Sequence, residues 1–586
     1  MRCNILCGVT PSSYRGLGVL CSFALACSAG GGSDAPPNKG SGASSSGGTI
    51  AIGGGGNGGN GSTINVGANG GDTGGGDTDN PATCAEAEAN RTYVGCEFWP
   101  TVNYNPVYTD FDFAVVLANG GGTEATIEVT GPGGFSASDT VPAGGLTTVI
   151  LPWVAELKGP EFSRVNTSTG RATASVLAPA SAYRVTSSVP VTAWQFNPLQ
   201  YKKPIAEVSG GCGTQFGTMD CYSASNDASL LLPTTAMTQA YRVFTRAGLF
   251  GGSPGQAYTS ATSGVAITAT ADATTVTVQL SPTCAAGVFS GSGSCLAAGT
   301  GVTAAVAGDI VDFTLDAGDV LQLLGEQAAG DSLVHADLSG TVINSTLPVQ
   351  VIGFNPISNV PDVPNADHLE ETVLPAEVLG TEYVVVPPTS PSGVVKGGHM
   401  VRIYGNVDGT MLTYDTKPTG APDTIDAGDV VEFGPSLDMF KVTGSASFAV
   451  GSFMLGGQLQ GDGVCPDFPC SGDPSFSMMV TPQQFRKQYT FLAPVDYDKN
   501  YADVLVPDGA TVTLDGAPLT GAPTAIGATG WSVVREPLGP GEGGAHRLES
   551  DQPIGLQVMG FGHASSYYYP GGLRLELIAP PPTIVK

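Results

Sequence analysis

Positive charge is scarce in this chain. Lys and Arg together number 23 against 51 Asp and Glu, a formal net charge of −28 over 586 residues. A nucleic-acid partner needs clustered Lys and Arg to displace counterions from phosphate, so none is expected. Acidity suits solubility outside the cell. Histidine is scarcer still, at five residues, and neither HExxH nor GxxxxGK[ST] occurs, so no zinc-hydrolase or phosphate-cradling signature is present. Long apolar runs are missing as well. None reaches the ~18 to 20 uninterrupted apolar residues that a membrane-spanning helix needs. Charged residues make up only 13% of the chain, whereas Gly numbers 84 and Pro 43. That balance is poor in helix formers and rich in turn formers, and it predicts an all-β protein. No catalytic, cofactor-binding or metal-binding residue is assigned.

The N-terminus reads as an address. Arg2 and Arg15 precede an apolar run over 17–26 that ends at Cys27 after the small residue Ala26, the pattern of a secretory signal. The segment Ala24-Leu25-Ala26-Cys27 resembles the bacterial lipobox, in which the Cys becomes the lipid-modified first residue. It departs from that pattern at Ala24, where Leu is usual, so ordinary signal-peptidase cleavage nearby is the alternative. From Ser28 to about Asn80 the chain is Gly, Ser, Asn, Asp and Thr with almost no large apolar group. Such a segment cannot offset its ordering entropy and is expected to be a flexible tether.

Beyond the tether a phrase repeats. Ser187-Ser188-Val189-Pro190-Val191-Thr192-Ala193-Trp194-Gln195-Phe196-Asn197-Pro198 returns as Thr346-Leu347-Pro348-Val349-Gln350-Val351-Ile352-Gly353-Phe354-Asn355-Pro356, with looser echoes at 447–453 and 553–561. Its alternation is that of a half-buried strand. Pro233 and Tyr241 stand eight residues apart, as do Pro375 and Tyr383, and Asp316-Ala317-Gly318-Asp319-Val320 recurs as Asp426-Ala427-Gly428-Asp429-Val430. Asp319 and Asp429 are read as turn residues. Asp408-Gly409 and its counterpart Asp272-Ala273 are expected to close hairpins between adjacent antiparallel strands, 401–405 with 411–414 in the first case. The fold expected is about four tandem, partly repeated β-sandwich-like units, with propeller-like closure as the alternative. The boundaries are a signal peptide over 1–26, a lipid-tethered linker over 27–80, and β units over 81–205, 206–364, 365–478 and 479–586. Phe196 and Phe354 are expected on the core face of the repeated strand, with Gln350 mattering less.

Setting aside Cys3, Cys7 and Cys21 in the signal and Cys27 for lipid, eight cysteines remain. They fall into the local couples Cys84 with Cys96, Cys212 with Cys221, Cys284 with Cys295, and Cys465 with Cys470. An even count after secretion predicts disulfides, and local pairing is the simplest connectivity. Absence of close CxxC spacing and of neighbouring His disfavours zinc.

Three polar stretches invite chemical readings. Asp367-His368-Leu369-Glu370-Glu371 holds groups suited to a base or metal ligand, against a plainer reading as a solvated turn. Asp496-Tyr497-Asp498-Lys499-Asn500 begins like a calcium loop, but Tyr501 and Pro507 stand where Gly and a bidentate Glu belong. Ser565-Ser566-Tyr567-Tyr568-Tyr569-Pro570 offers either an exposed aromatic platform or a closing strand with one buried Tyr face. Trp99, Trp153, Trp194 and Trp531 are scattered, which suits core filling.

On Gly95-Cys96-Glu97-Phe98-Trp99-Pro100, the phrase 189–198, Asn226-Asp227-Ala228-Ser229-Leu230-Leu231-Leu232-Pro233, Asp367-His368-Leu369-Glu370-Glu371 and 565–572, the chain resembles the IgG Fc-binding protein N-terminal domain family, including its bacterial predicted lipoproteins. The resemblance implies a surface module, with antibody Fc as the ligand its family name implies, and leaves the extracellular protein or glycan ligand open. The Cys27 lipobox adds the expectation of membrane contact through the lipid anchor only, at the outer membrane or cell surface. It supplies no catalytic pattern. The competing reading is a secreted hydrolase of glycan or peptide, in which carboxylates of separate units, Glu370 or Glu371 among them, meet in a cleft.

Overall fold

The computed structural model describes residues 80–162, 174–212, 219–247, 262–284, 294–326, 336–361, 363, 365–460, 471–494, 496–538 and 544–584. About half of the residues are strand and only 7% helical, and one construction is built four times.

In the first copy one sheet runs Phe135–Val141, Ala125–Gly131, the N-terminal half of the long strand Arg184–Asn197, and Gly95–Phe98. The second runs Leu146–Leu151, Phe113–Ala118, the C-terminal half of the same long strand, and Asp227–Leu231. Pro190 sits where the long strand passes from one sheet to the other, a corner at which a missing ladder N–H costs least. The fourth copy repeats this with Ala545–Gly562 and Pro553 at the passage. In the second and third copies the long strand is interrupted at the corner, giving Val342–Ser345 then Val349–Asn359, and Phe440–Gly444 then Phe448–Met454. Both expected architectures therefore hold together: the copies are sandwiches, and their arrangement is propeller-like.

The turn reading of Asp408-Gly409 needs correction. His399–Gly405 pairs with Val430–Ser436 and Phe448–Met454, whereas Thr410–Tyr414 pairs with Thr424–Ile425 and Phe440–Gly444, in the other sheet. Gly264–Ala269 and Thr274–Gln279 are likewise split around Asp272-Ala273. Both turns are arches over the sandwich rather than hairpins. They correspond all the same, because Gly409 and Ala273 both take positive φ (65° and 56°). Each arch is also clasped reciprocally to the recurring Asp-Ala-Gly-Asp turn. Asp272 Oδ1 accepts from Ala317 N (3.0 Å) while Asp316 Oδ1 accepts from Ala273 N (2.9 Å). Asp408 Oδ1 accepts from Ala427 N (3.0 Å) while Asp426 Oδ1 accepts from Gly409 N (2.7 Å).

The Pro-to-Tyr spacing marks a second recurring device. After each corner-forming 3-10 turn, Thr234–Ala236, Ala376–Val378 and Pro482–Gln484, a buried Tyr ties the incoming strand to the corner of the long one. Tyr241 Oη donates to Val349 O (2.7 Å), Tyr383 Oη to Phe448 O (2.7 Å), and Tyr489 Oη to Ile554 O. Each hydroxyl accepts in turn from the backbone N–H three residues earlier, at Thr238, Gly380 and Arg486.

Each long strand is followed by one more strand that covers its open edge: Asp227–Leu231, Ala366–Thr372, Phe476–Met478 and Ser565–Pro570. The first two thus complete sheets of the preceding sandwich, and Ser175–Ala178 joins a sheet of the second. These four covering strands contact one another in a ring around a common axis. Segment 571–584 then runs back across all four copies. Leu575 N donates to Arg91 O (2.9 Å), Arg574 N to Gln484 O (2.9 Å), Ile578 N to Glu377 O (2.7 Å), and Ile584 N to Asn344 Oδ1 (3.0 Å).

Phe196 and Phe354 are buried as expected. Gln350 is buried as well, its Nε2 donating to Trp99 O (2.6 Å) and Thr101 Oγ1 (3.2 Å), so it joins two sandwiches and is not a minor position. Trp99 and Trp194 are buried, whereas Trp153 and Trp531 are half-buried against the core.

Candidate functional site

The axis gathers the titratable groups. Asp367, His368, Glu370 and Glu371 lie on the strand Ala366–Thr372, where pairing with Val349–Asn359 and packing against Asp227–Leu231 remove them from water. The solvated-turn reading is therefore overturned. Asp227 comes from the first covering strand and Asp473 from the segment before the third.

Glu370 is the hub. Its Oε1 accepts from Gln195 Nε2 (2.8 Å) and Ser229 Oγ (2.8 Å). Its Oε2 accepts from Asn197 Nδ2 (3.0 Å) and from Asn103 Nδ2, and lies 3.6 Å from His368 Nε2. Burial pushes this carboxyl up, but His368 and the side-chain amides more than offset that, and it settles below the usual range. A carboxylate has about four acceptor sites, and here they are filled. Asp227 accepts from Glu370 N (3.0 Å), Ser475 Oγ (2.8 Å) and Ala228 N (2.9 Å). Asp367 accepts from Asn226 N (2.6 Å), His368 N (2.8 Å) and Ser566 N (3.3 Å). Burial holds Asp227, Asp367 and Glu371 well above the carboxylate range, and Asp473 rises to about 7 for the same reason. Glu371 Oε2 and His368 Nδ1 are buried without a partner. Carboxyls from successive strands do meet, as a hydrolase requires, but they meet inside packed protein. A general acid or base must reach its substrate's proton.

A Ser-His contact also arises that the linear sequence concealed. His399 Nδ1 lies 2.7 Å from Ser452 Oγ. Both are fully buried, His399 Nε2 lacks the acceptor that would orient it, and burial with Arg535 nearby lowers the imidazole to about 3. Gly251-Gly252-Ser253-Pro254-Gly255 has nucleophile-elbow spacing and lies outside the described residues. Pro254 has no N–H with which to complete the oxyanion hole of that motif. Among the described residues, no group of three His, Cys, Asp or Glu is arranged to hold a metal ion.

The remaining candidates are occupied too. Asp496 Oδ2 accepts from Tyr201 N (3.2 Å) and Asp498 Oδ1 from Tyr201 Oη (2.8 Å), which ties the fourth sandwich to the first. Tyr567, Tyr568 and Tyr569 are all buried, so neither an exposed platform nor a single buried Tyr face describes them. Tyr567 Oη donates to Asn500 Oδ1 (2.8 Å) and Tyr569 Oη to Leu492 O. Disulfides join Cys84 to Cys96, Cys212 to Cys221, and Cys284 to Cys295. Cys27, Cys465 and Cys470 lie outside the described residues.

No curated protein and no solved structure matches the chain. A family model described as IgGFc binding protein matches residues 227–560, more than half of it, beginning at the strand that covers the first sandwich. The chain belongs to the IgGFc binding protein family.

Proposed function

We propose that the chain is a non-catalytic, secreted lipoprotein, tethered through Cys27, that binds an extracellular protein or glycan and serves adhesion. One observation carries the reading: the hub carboxylate Glu370 has its acceptor sites filled by protein donors and is 0% exposed, so its charge serves to join the second sandwich's covering strand to the first sandwich. The hydrolase alternative needs those carboxylates in an open cleft. The family's name makes antibody Fc one ligand to test. The signal-like start, the Cys27 lipobox and the disulfides support an oxidising, extracytoplasmic location. On this reading Cys465 pairs with Cys470, and the sandwiches correspond to units 81–205, 206–364, 365–478 and 479–586 with strands lent across their boundaries.

A glycan and protein array that includes Fc, probed with residues 81–586, tests the activity. Saturable capture of one ligand class is expected. Hydrolysis of any arrayed glycan or peptide, abolished by Glu370→Gln in a folded variant, would replace binding with catalysis. Cys27→Ala should release the protein into the medium, and retention on membranes would refute the lipid anchor.

A further inference from the structure

Between the first and fourth sandwiches lies an open-mouthed recess whose enclosed space, about 10 Å³, has room for one water-sized group, lined by Asn80, Tyr93, Arg486, Gln488, Thr490 and Arg547 among others. It brings two arginines together in a protein that has few. Arg486 is 1% exposed, yet its Nη1 has no hydrogen-bond partner. Its Nε donates to Gln488 O (3.2 Å), and the guanidinium lies 4.9 Å from the Tyr93 ring centroid. A buried cation with an unmet donor is costly unless an anion meets it. Arg547 is partly compensated, with Nη2 at 2.8 Å from Glu549 Oε1 and 3.4 Å from Gln488 Oε1. Among the described residues Arg486 makes no ion pair.

We infer that this recess takes one oxygen of a single small oxyanion group toward Arg486, the rest of the group lying in the mouth beside Arg547. Guanidinium N–H groups point in parallel and match the paired oxygens of a sulfate or carboxylate. Asn80, Gln488 and Thr490 add neutral polar groups on the lining. The net charge of −28 does not forbid the site. At physiological ionic strength the field of distant carboxylates is largely screened beyond about 8 Å, whereas the pocket's own cations act at contact. The same chemistry serves a free ion or the acidic end group of a larger ligand.

The test is calorimetric titration of the full chain with sodium sulfate, and separately with galactose 6-sulfate, at ionic strength held constant with sodium chloride. One saturable site is expected. Arg486→Lys keeps the charge and loses the fork, and should weaken binding about tenfold or more. Arg547→Gln, at a half-buried position, should weaken it several-fold and keeps the test alive if the first variant does not fold. Tighter binding of the sugar than of sulfate would assign the site to an end group, and the reverse would assign it to the free ion. Absence of saturable heat with both probes in the wild type, or wild-type affinity in a folded Arg547→Gln protein, would overturn the inference.

Discussion

Glu370 and Asp473 are both withdrawn from water, yet their acidities shift in opposite senses, because Glu370 has the His368 imidazole and several side-chain donors beside it whereas Asp473 has Gly457 N and Asn365 and no imidazole. The pH dependence of stability follows from the sign of each shift. Asp473, raised by burial from an ordinary value of 3.8 to about 7, keeps a proton in the folded state that the unfolded chain releases. Its stabilising contribution is complete below about pH 4 and is lost as pH rises toward 7. Asp227, Asp367 and Glu371 act in the same direction. Glu432 acts oppositely. Burial raises it, but Arg402 and Arg246 overcome that and hold it at about 2, so its contribution is present above its ordinary value and lost as pH falls. His399, held neutral at about 3 by burial, also opposes the raised carboxyls below its ordinary 6.5. One imidazole stands against four raised carboxyls, so the urea midpoint should be higher at pH 5 than at pH 8, and Asp473→Asn should flatten that slope. A midpoint that rises from pH 5 to pH 8 would contradict the assignment. Core substitutions supply a second residue-scale prediction. Phe354→Ala should cost about 3 to 5 kcal/mol through lost transfer energy and the cavity left behind. Gln350→Ala should cost about 1 to 3 kcal/mol, because it strips a buried carbonyl of its donor. Chemical denaturation of both variants checks the pair.

At the scale of elements, the tyrosine corners make the clearest prediction. Tyr241→Phe, Tyr383→Phe and Tyr489→Phe each remove one hydroxyl that both donates to a corner carbonyl and accepts an N–H. Two buried backbone groups lose their partner, so each change should cost about 1 to 3 kcal/mol in a denaturation midpoint. A neutral result at all three would show the bonds to be dispensable. The Pro-to-Tyr spacing was visible in the sequence because it is local, and so was the alternation of the long strands. Strand partners were not. An arch and a hairpin share the same turn chemistry, and Asp408-Gly409 fits either. What separates them is which sheet receives each flank, and that depends on strands such as Phe440–Gly444 and Phe448–Met454, which lie downstream. The axial cluster was hidden for a related reason. Charged residues usually face water, and the donors that make burial tolerable for Glu370, at Asn103, Gln195 and Asn197, stand more than 170 residues away. A usable signal did exist: Asp367-His368-Leu369-Glu370-Glu371 follows the second copy of the repeated phrase, much as Asp227-Ala228-Ser229-Leu230-Leu231 follows the first.

At the scale of the whole molecule, the segment 571–584 bonds to residues of all four sandwiches. Deleting 571–586 should lower the melting temperature and speed amide exchange at Tyr93, whose N–H donates to Leu573 O (3.4 Å). Unchanged exchange there would show that the segment rides passively on the surface. The covering strands bear on another matter, the order in which the protein is made. A chain leaves the ribosome N-terminus first, and an uncovered sheet edge is a template for pairing with the wrong strand. Four related long strands in one chain multiply that hazard, since each resembles the others' natural neighbours. In this topology the strand that seals each edge is synthesised after the strand that exposes it with no strand of another sandwich between them; in the first copy only the short pair Lys202–Pro204 and Asp220–Tyr222 intervenes. The sealing partner of each long strand therefore reaches it before any strand of the following sandwich can compete for that edge.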